Sequence, residues 1–127
     1  MSQPVAFQRL EAGALALASA YIYFTNHLSL WWFLGLWFAI DLSMMGYVIS
    51  PKVGSLTYNL GHSLIAPAAI LAAWYITGTP YLLALGLTWL NHIGVDRALG
   101  YGLKHATGFG DTHLGHIGKP KPAASTG

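Results

Sequence analysis

The chain has 127 residues, of which 54% are hydrophobic and only 8% are charged. Soluble domains carry about 25% charged residues, and the mean hydropathy here is +0.49. These values exclude a soluble globular enzyme and a disordered chain, and they indicate one compact integral membrane domain. The absence of cysteine excludes disulfide and thiolate chemistry. The six Lys and Arg residues are scattered along the chain, which argues against a nucleic-acid partner.

Four apolar stretches predict transmembrane helices. A helix that crosses a bilayer needs about 20 mostly apolar residues, and no charged residue lies between Glu11 and Asp41 or between Lys52 and Asp96. Turn-forming residues at 26–29, 50–54 and 78–80 divide these stretches. The sequence therefore predicts an all-α, antiparallel four-helix bundle over 1–103, followed by a Gly-, His- and Pro-rich tail over 104–127. The predicted spans are 5–25, 30–50, 55–77 and 81–103.

The basic residues predict the orientation of this bundle. With four spans, both termini and the loop after the second span share one side of the membrane. All of the Lys and Arg residues fall on that side, which the positive-inside rule assigns to the cytoplasm. They are Arg9, Lys52, Arg97, Lys104, Lys119 and Lys121. We therefore expect a multi-pass protein of the cytoplasmic membrane with both termini inside the cell.

Ionisable residues inside the spans are candidates for function, because burying them in lipid is costly. With a rise of about 1.5 Å per residue, they all lie roughly 9–16 Å from the cytoplasmic ends of their helices. The spacing of His92 and Asp96, like that of Asn59 and His62, places each pair on one helix face. The sequence thus predicts one polar layer in the cytoplasmic half of the bundle, formed by Glu11, Asp41, His62, His92 and Asp96.

The composition of this layer favours a metal site. Two imidazoles and two carboxylates, from His62, His92, Asp41 and Asp96, suit zinc, iron or manganese. Glu11 and Asp41 are the candidate catalytic carboxylates. The leading specific hypothesis for such a site is a metal-dependent hydrolase acting on a lipid-like substrate. Further polar residues are expected to support the ligands through hydrogen bonds, namely Asn59, Asn91 and Arg97.

Other functions fit the same residues. Without a metal, a protonated carboxyl group and a histidine could catalyse isomerisation or cyclisation of a lipophilic substrate. In a non-catalytic protein, an Asp41–Arg97 pair and His–Asn hydrogen bonds would lock the helices together or bind a ligand. A haem held by His62 and His92 is a further possibility, and so is a homo-oligomer. The geometry of the side chains discriminates among these hypotheses.

Two further features carry expectations. Pro67 is expected to kink the third span about one turn beyond His62. Asp111, His105, His113 and His116 in the tail either remain solvated or supply a ligand at the cytoplasmic mouth of the bundle. The first of these two interpretations is preferred.

The chain also resembles a small family of bacterial membrane proteins known as domain of unknown function 4260. The resemblance rests on RLE at 9–11, DLSMMGY at 41–47, YNLGH at 58–62, HIGVDRALGYGLK at 92–104 and THLG at 112–115. It implies a compact bacterial membrane protein of this size and carries no known activity. A more distant similarity is to membrane-embedded metal-dependent hydrolases, which also place His and Asp on neighbouring helices.

Overall fold

The structure is a computed structural model that describes residues 2–103 and the backbone of residues 111–112 and 115–116. Within the described part, the chain is helical apart from one pair of two-residue strands. The elements are α1 (Gln3–Thr25), α2 (Leu30–Ala39), a 3₁₀ segment (Ile40–Val48), α3 (Pro51–His62), α4 (Ile65–Thr77), α5 (Pro80–Ala98), β1 (Asp111–Thr112) and β2 (Gly115–His116). The predicted all-helical fold with four helical segments is confirmed.

Serine residues fix where three of the helices begin. The side chains of Ser2, Ser29 and Ser50 each accept a hydrogen bond from the backbone N–H three residues later, at the starts of α1, α2 and α3. Such caps satisfy backbone donors that have no partner within the helix. The short connections between successive segments then make neighbouring segments antiparallel.

The second and third predicted spans are less regular than expected. The second span, predicted over 30–50, changes from an α-helix to a 3₁₀ helix at Ile40. The third, predicted as one kinked helix over 55–77, is interrupted between His62 and Ile65. Pro67 lies in the first turn of α4, and its ring nitrogen cannot donate to the carbonyl of Ser63, so the helix is weakened at this point. The fourth helix ends at Ala98, before the predicted limit of 103.

Close helix packing centres on α5, which contacts α1, α2 and α4, while α3 packs against the 3₁₀ segment. Glycines permit the closest approaches. A Cβ atom on Gly94 would lie 2.8 Å from the carbonyl oxygen of Ala12 and 2.9 Å from the nitrogen of Ala16. A Cβ on Gly61 would lie 2.7 Å from the Ser43 side chain. Small residues therefore bring α5 against α1 and bring α3 against the segment that carries Asp41.

Two helical segments are long and apolar enough to cross a membrane, Leu30–Val48 and Pro51–Thr77. A core helix of a soluble protein would be mostly buried, whereas only 6% and 11% of these two windows are buried. Their large apolar side chains, including Trp31, Val48 and Ile76, point outward instead. The described surface of the bundle is thus predominantly apolar along both segments.

Most of the tail lies outside the described residues. His105 and His113 belong to that part, so their predicted roles have no structural counterpart here. The described backbone pairs Asp111 with His116 and Thr112 with Gly115 in an antiparallel arrangement.

Candidate metal centre

Four ionisable side chains meet at one point inside the bundle. Asp41 comes from the 3₁₀ segment, His62 from the last residue of α3, and His92 and Asp96 from adjacent turns of α5. One ligand atom from each residue lies within 4.8 Å of the other three. We call this set the His–Asp cluster. Its two histidine side chains are buried, with 4% of His62 and 0% of His92 exposed.

Five of the six separations among the ligand atoms of the cluster are close to the edge of a tetrahedral metal site. The Nε2 atoms of the two histidines are 3.1 Å apart. Their distances to Asp41 Oδ1 are 3.4 and 3.2 Å, and those to Asp96 Oδ2 are 3.2 and 3.1 Å. A tetrahedron whose centre lies 2.0–2.1 Å from each corner has edges of about 3.3–3.4 Å, and 2.0–2.1 Å is the usual zinc–nitrogen distance. Each histidine nitrogen therefore lies at the distances of a metal site from the other three ligand atoms, and the two carboxylate oxygens lie within 4.8 Å of each other.

The hydrogen bonds of His62 orient its ring for this role. Its Nδ1 lies 3.0 Å from the carbonyl oxygen of Tyr58. A carbonyl oxygen only accepts, so Nδ1 carries the proton, and the neutral ring directs the lone pair of Nε2 into the cluster. The Ser43 hydroxyl lies 3.3 Å from the same Nδ1. The Tyr58 ring stacks on the imidazole with the centroids 3.8 Å apart and the planes at 8°.

A cation satisfies this arrangement more fully than protons do. If both histidines were protonated, each Nε2–H could donate to a carboxylate oxygen 3.1–3.4 Å away, but the two N–H groups would lie side by side with their nitrogens 3.1 Å apart. A single shared proton leaves the two carboxylates and two imidazoles with a net negative charge in a largely buried place, which is costly. One divalent cation accepts all of the lone pairs and neutralises both carboxylates.

A second layer of side chains surrounds His92. The Trp37 ring lies against its imidazole, with the centroids 4.0 Å apart. Trp37 Nε1 donates to Asn91 Oδ1 at 3.1 Å, and Asn91 Nδ2 donates to the Ala16 carbonyl oxygen at 2.7 Å. His92 Nδ1 is buried, makes no hydrogen bond of normal length and has the backbone of Trp37 beside it. These contacts tie α1, α2 and α5 together at the level of the cluster.

The break after His62 is held by two side chains of α5. Trp89 Nε1 donates to the carbonyl oxygen of Gly61, and an Arg97 guanidinium nitrogen donates to that of His62 at 3.3 Å. The carbonyls at a helix end have no partner within the helix, so these bonds replace the ones that the interruption removes. They also fix the position of the last turn of α3, and hence of His62, relative to α5.

We therefore expect Trp89→Phe to weaken metal binding without unfolding the bundle. The substitution keeps the ring but removes the donor to Gly61, so His62 is held less firmly. Loss of such an outer hydrogen bond lowers metal affinity by about 10- to 100-fold. A competition titration with a chelating dye measures this. Trp32→Phe, at an exposed position on α2, is the matched control, and equal affinities of the two variants would contradict the prediction.

Other predicted site residues lie elsewhere. Glu11 is exposed and stands apart from the His–Asp cluster, lining a separate cavity of about 180 Å³ with Gln8 and Arg97. Asn91 and Arg97 act through Trp37 and through the His62 carbonyl rather than on the ligand atoms. Asn59 is half-buried on α3, and its supporting role stays a prediction.

The geometry also bears on two alternatives. The expected Asp41–Arg97 pair is absent among the described residues, because the ion pairs of Asp41 are with the two histidines. A haem between His62 and His92 would need nitrogen atoms about 4 Å apart on opposite faces of the macrocycle. The actual separation of 3.1 Å, with the rings meeting edge to face, leaves no space for it.

The contacts of Trp37 and Trp89 with the site are not among the sequence predictions. Helical spacing contains the signal that could have found them. Trp37 precedes Asp41 by four residues and Trp89 precedes His92 by three, so each shares a face with a ligand.

Comparison with known proteins identifies a family for this chain but no activity. The sequence model of one family, described as Domain of unknown function (DUF4260), matches residues 5–117. No curated protein and no solved structure matches the chain. The match spans the whole His–Asp cluster and all of the helices except the first two residues of α1. The chain therefore belongs to the DUF4260 family.

Proposed function

We propose that this chain is a multi-pass protein of the bacterial cytoplasmic membrane that holds one divalent transition metal at the His–Asp cluster. We further propose that the metal serves to hydrolyse a lipid-like substrate. The observation that carries the proposal is the set of five separations of 3.1–3.4 Å that join the two histidine nitrogens to each other and to the two carboxylates.

The membrane location is supported by the outward-facing apolar side chains of Leu30–Val48 and Pro51–Thr77. The charges support the orientation. Arg9, Lys52 and Arg97 lie at the same end of the bundle, near the start of α1, the start of α3 and the end of α5. The connections at the other end, 26–29 and 78–79, contain no Lys or Arg. The positive-inside rule places the basic end in the cytoplasm.

Hydrolysis is supported by the types of ligand in the His–Asp cluster and by the exposure of one of them on the outside of the bundle. Two imidazoles and two carboxylates suit zinc, manganese or iron, and such a metal supplies a Lewis acid and an activated water when bound. His62, His92 and Asp96 hold the centre in the interior. The Asp41 side chain is 42% exposed, so the cluster is reachable from the flank of the bundle. Because apolar side chains cover that flank, a lipophilic molecule is the substrate class that reaches it most readily.

A second candidate function is a metal lock that stabilises the bundle. The observation in its favour is that the protein supplies four possible ligands, as is typical of structural zinc sites. These ligands join the 3₁₀ segment, α3 and α5. If the metal serves only as a lock, its removal should lower the unfolding temperature, and the protein should show no hydrolytic activity.

Elemental analysis of the detergent-purified protein tests the metal site. We expect about one zinc, iron or manganese per chain, and loss of the metal in the double variant with Asp41→Asn and His92→Ala. His27→Asn is the matched control, because His27 lies outside the cluster at a φ of 57° that asparagine tolerates. A wild-type protein that stays metal-free after incubation with each metal would contradict the proposal.

Hydrolysis is tested with long-chain nitrophenyl esters in mixed micelles. The proposal predicts turnover that requires the metal, disappears on chelation and is absent from the double variant. Turnover at the level of the double variant, in a protein that retains its metal, would rule out esterase activity towards these probes and favour the lock.

A further inference from the structure

The four ligands of the His–Asp cluster are not equivalent. We infer that Asp41 is an exchangeable ligand, which leaves the metal to open one coordination position for water or for an oxygen atom of a substrate. His62, His92 and Asp96 stay in place. This inference rests on the proposed metal centre and extends it by identifying where a substrate would bind.

The exposure of the side chains separates Asp41 from the rest. Its side chain is 42% exposed, whereas His62, His92 and Asp96 are 4%, 0% and 16% exposed. An Asp41 carboxylate that leaves the cluster has open space beside it on the outside of the bundle. A carboxylate that leaves at Asp96 stays largely buried without its partners, which is costly. Exchange at Asp41 is therefore favoured over exchange at the other positions.

The backbone makes the same distinction. Asp41 lies in the first turn of the nine-residue 3₁₀ segment, while the other ligands lie on α-helices. Long 3₁₀ stretches have poorer hydrogen-bond geometry and are uncommon, and within a helix they often mark a hinge. The segment packs on α3, where Gly61 admits the Ser43 side chain. No described hydrogen bond besides the contacts with the two histidines fixes the Asp41 carboxylate.

The residues that remain form a set with a known chemical use. Two histidines and one carboxylate, with one position left open, match the ligand composition of catalytic zinc sites. Four protein ligands would instead close the site. Exchange of Asp41 thus reconciles four protein ligands in the resting protein with hydrolysis at an open position. The ligand class that this position accepts is a small oxygen donor, such as water, a carboxylate or an ester carbonyl.

Loading the Asp41→Ala variant with cobalt(II) tests the inference. The Asp96→Ala variant, loaded in the same way, is the matched control. We expect Asp41→Ala to retain about one cobalt per chain. Its affinity for cobalt should fall by no more than about 10- to 100-fold, which is the effect of losing a hydrogen-bond partner outside the ligands. Added acetate should bind in the place of the missing carboxylate and change the visible d–d absorption towards that of the wild type. Asp96→Ala should bind cobalt far more weakly, and acetate should not restore it.

The experiment distinguishes failure of the Asp41 exchange from failure of the metal site itself. Wild-type protein that binds no cobalt would overturn the proposed function. If the wild type binds cobalt but both variants lose it equally, or if acetate leaves the Asp41→Ala spectrum unchanged, the exchange of Asp41 is overturned and the metal site stands. Asp41→Asn, which preserves the side-chain volume, repeats the measurement should Asp41→Ala fail to fold, as judged by circular dichroism.

Discussion

Substitution of His92 by alanine is expected to abolish metal binding at micromolar concentrations. The His92 side chain is fully buried, and its Nε2 lies 3.1–3.2 Å from the ligand atoms of the other three residues. Loss of a hydrogen bond outside the ligands already lowers metal affinity by about 10- to 100-fold. Removing a ligand from the centre of the cluster should therefore cost at least about 100-fold, measured by competition with a chelating dye.

The control for this prediction separates ligand loss from misfolding. Removing the ring leaves a cavity beside Trp37, so His92→Gln, which fills more of the space, should be measured with it. Both variants should retain wild-type helix content and lose the metal. A His92→Ala protein that keeps wild-type affinity would show that the cluster does not hold the metal.

Gly94→Ala is expected to destabilise the bundle markedly. The new methyl group would lie 2.8 Å from the Ala12 carbonyl oxygen and 2.9 Å from the Ala16 nitrogen, and backbone atoms cannot move aside as a flexible side chain can. Helix α1 must shift away from α5, and overpacking of this kind costs about 1–3 kcal/mol. We expect the unfolding temperature in detergent to fall by about 5 °C or more.

The matched control for Gly94 is Gly35→Ala on α2. A Cβ atom at Gly35 meets nothing within 4 Å, and alanine favours the helix more than glycine does. Its unfolding temperature should equal or exceed that of the wild type. If the two alanine variants unfolded at the same temperature, the close contact of α1 with α5 would be wrong.

Much of the fold follows from simple features of the sequence. Uncharged apolar stretches of about 20 residues predicted the helical segments, and Ser–Pro and Gly–Thr–Pro turns located their ends. The predicted polar layer also brings the correct side chains together, because Asp41, His62 and His92 lie at similar depths in antiparallel helices. The depth of a residue follows from the number of residues between it and the end of its helix, and this number does not depend on how the helices pack.

The direction in which a side chain points around its helix was harder to predict than its depth along the helix. Glu11 stands apart from the His–Asp cluster and lines a cavity that also contains Arg97 of α5. Its neighbour Ala12 packs on α5, and successive residues of a helix are separated by about 100°. The rotation of α1 is set by the contact of Gly94 with Ala12 and Ala16. That contact depends on two distant parts of the chain, so the pattern within α1 could not reveal it.

The interruption after His62 depends on tertiary contacts as well. Pro67 indicates a weakened helix, and a kink is the ordinary result of a proline. Here the helix breaks completely, because Trp89 and Arg97 supply donors to the carbonyls of Gly61 and His62. A sequence pattern along α3 and α4 carries no information about donors on α5.

X-ray absorption at the zinc K-edge of the zinc-loaded protein tests the central claim most directly. The account predicts a first shell of about four nitrogen and oxygen atoms near 2.0 Å, with the outer-shell scattering of two imidazole rings. His92→Ala should lose that signal, whereas His27→Asn should keep it. A first shell of six oxygen atoms without imidazole scattering, unchanged in His92→Ala, would contradict a metal centre at the His–Asp cluster.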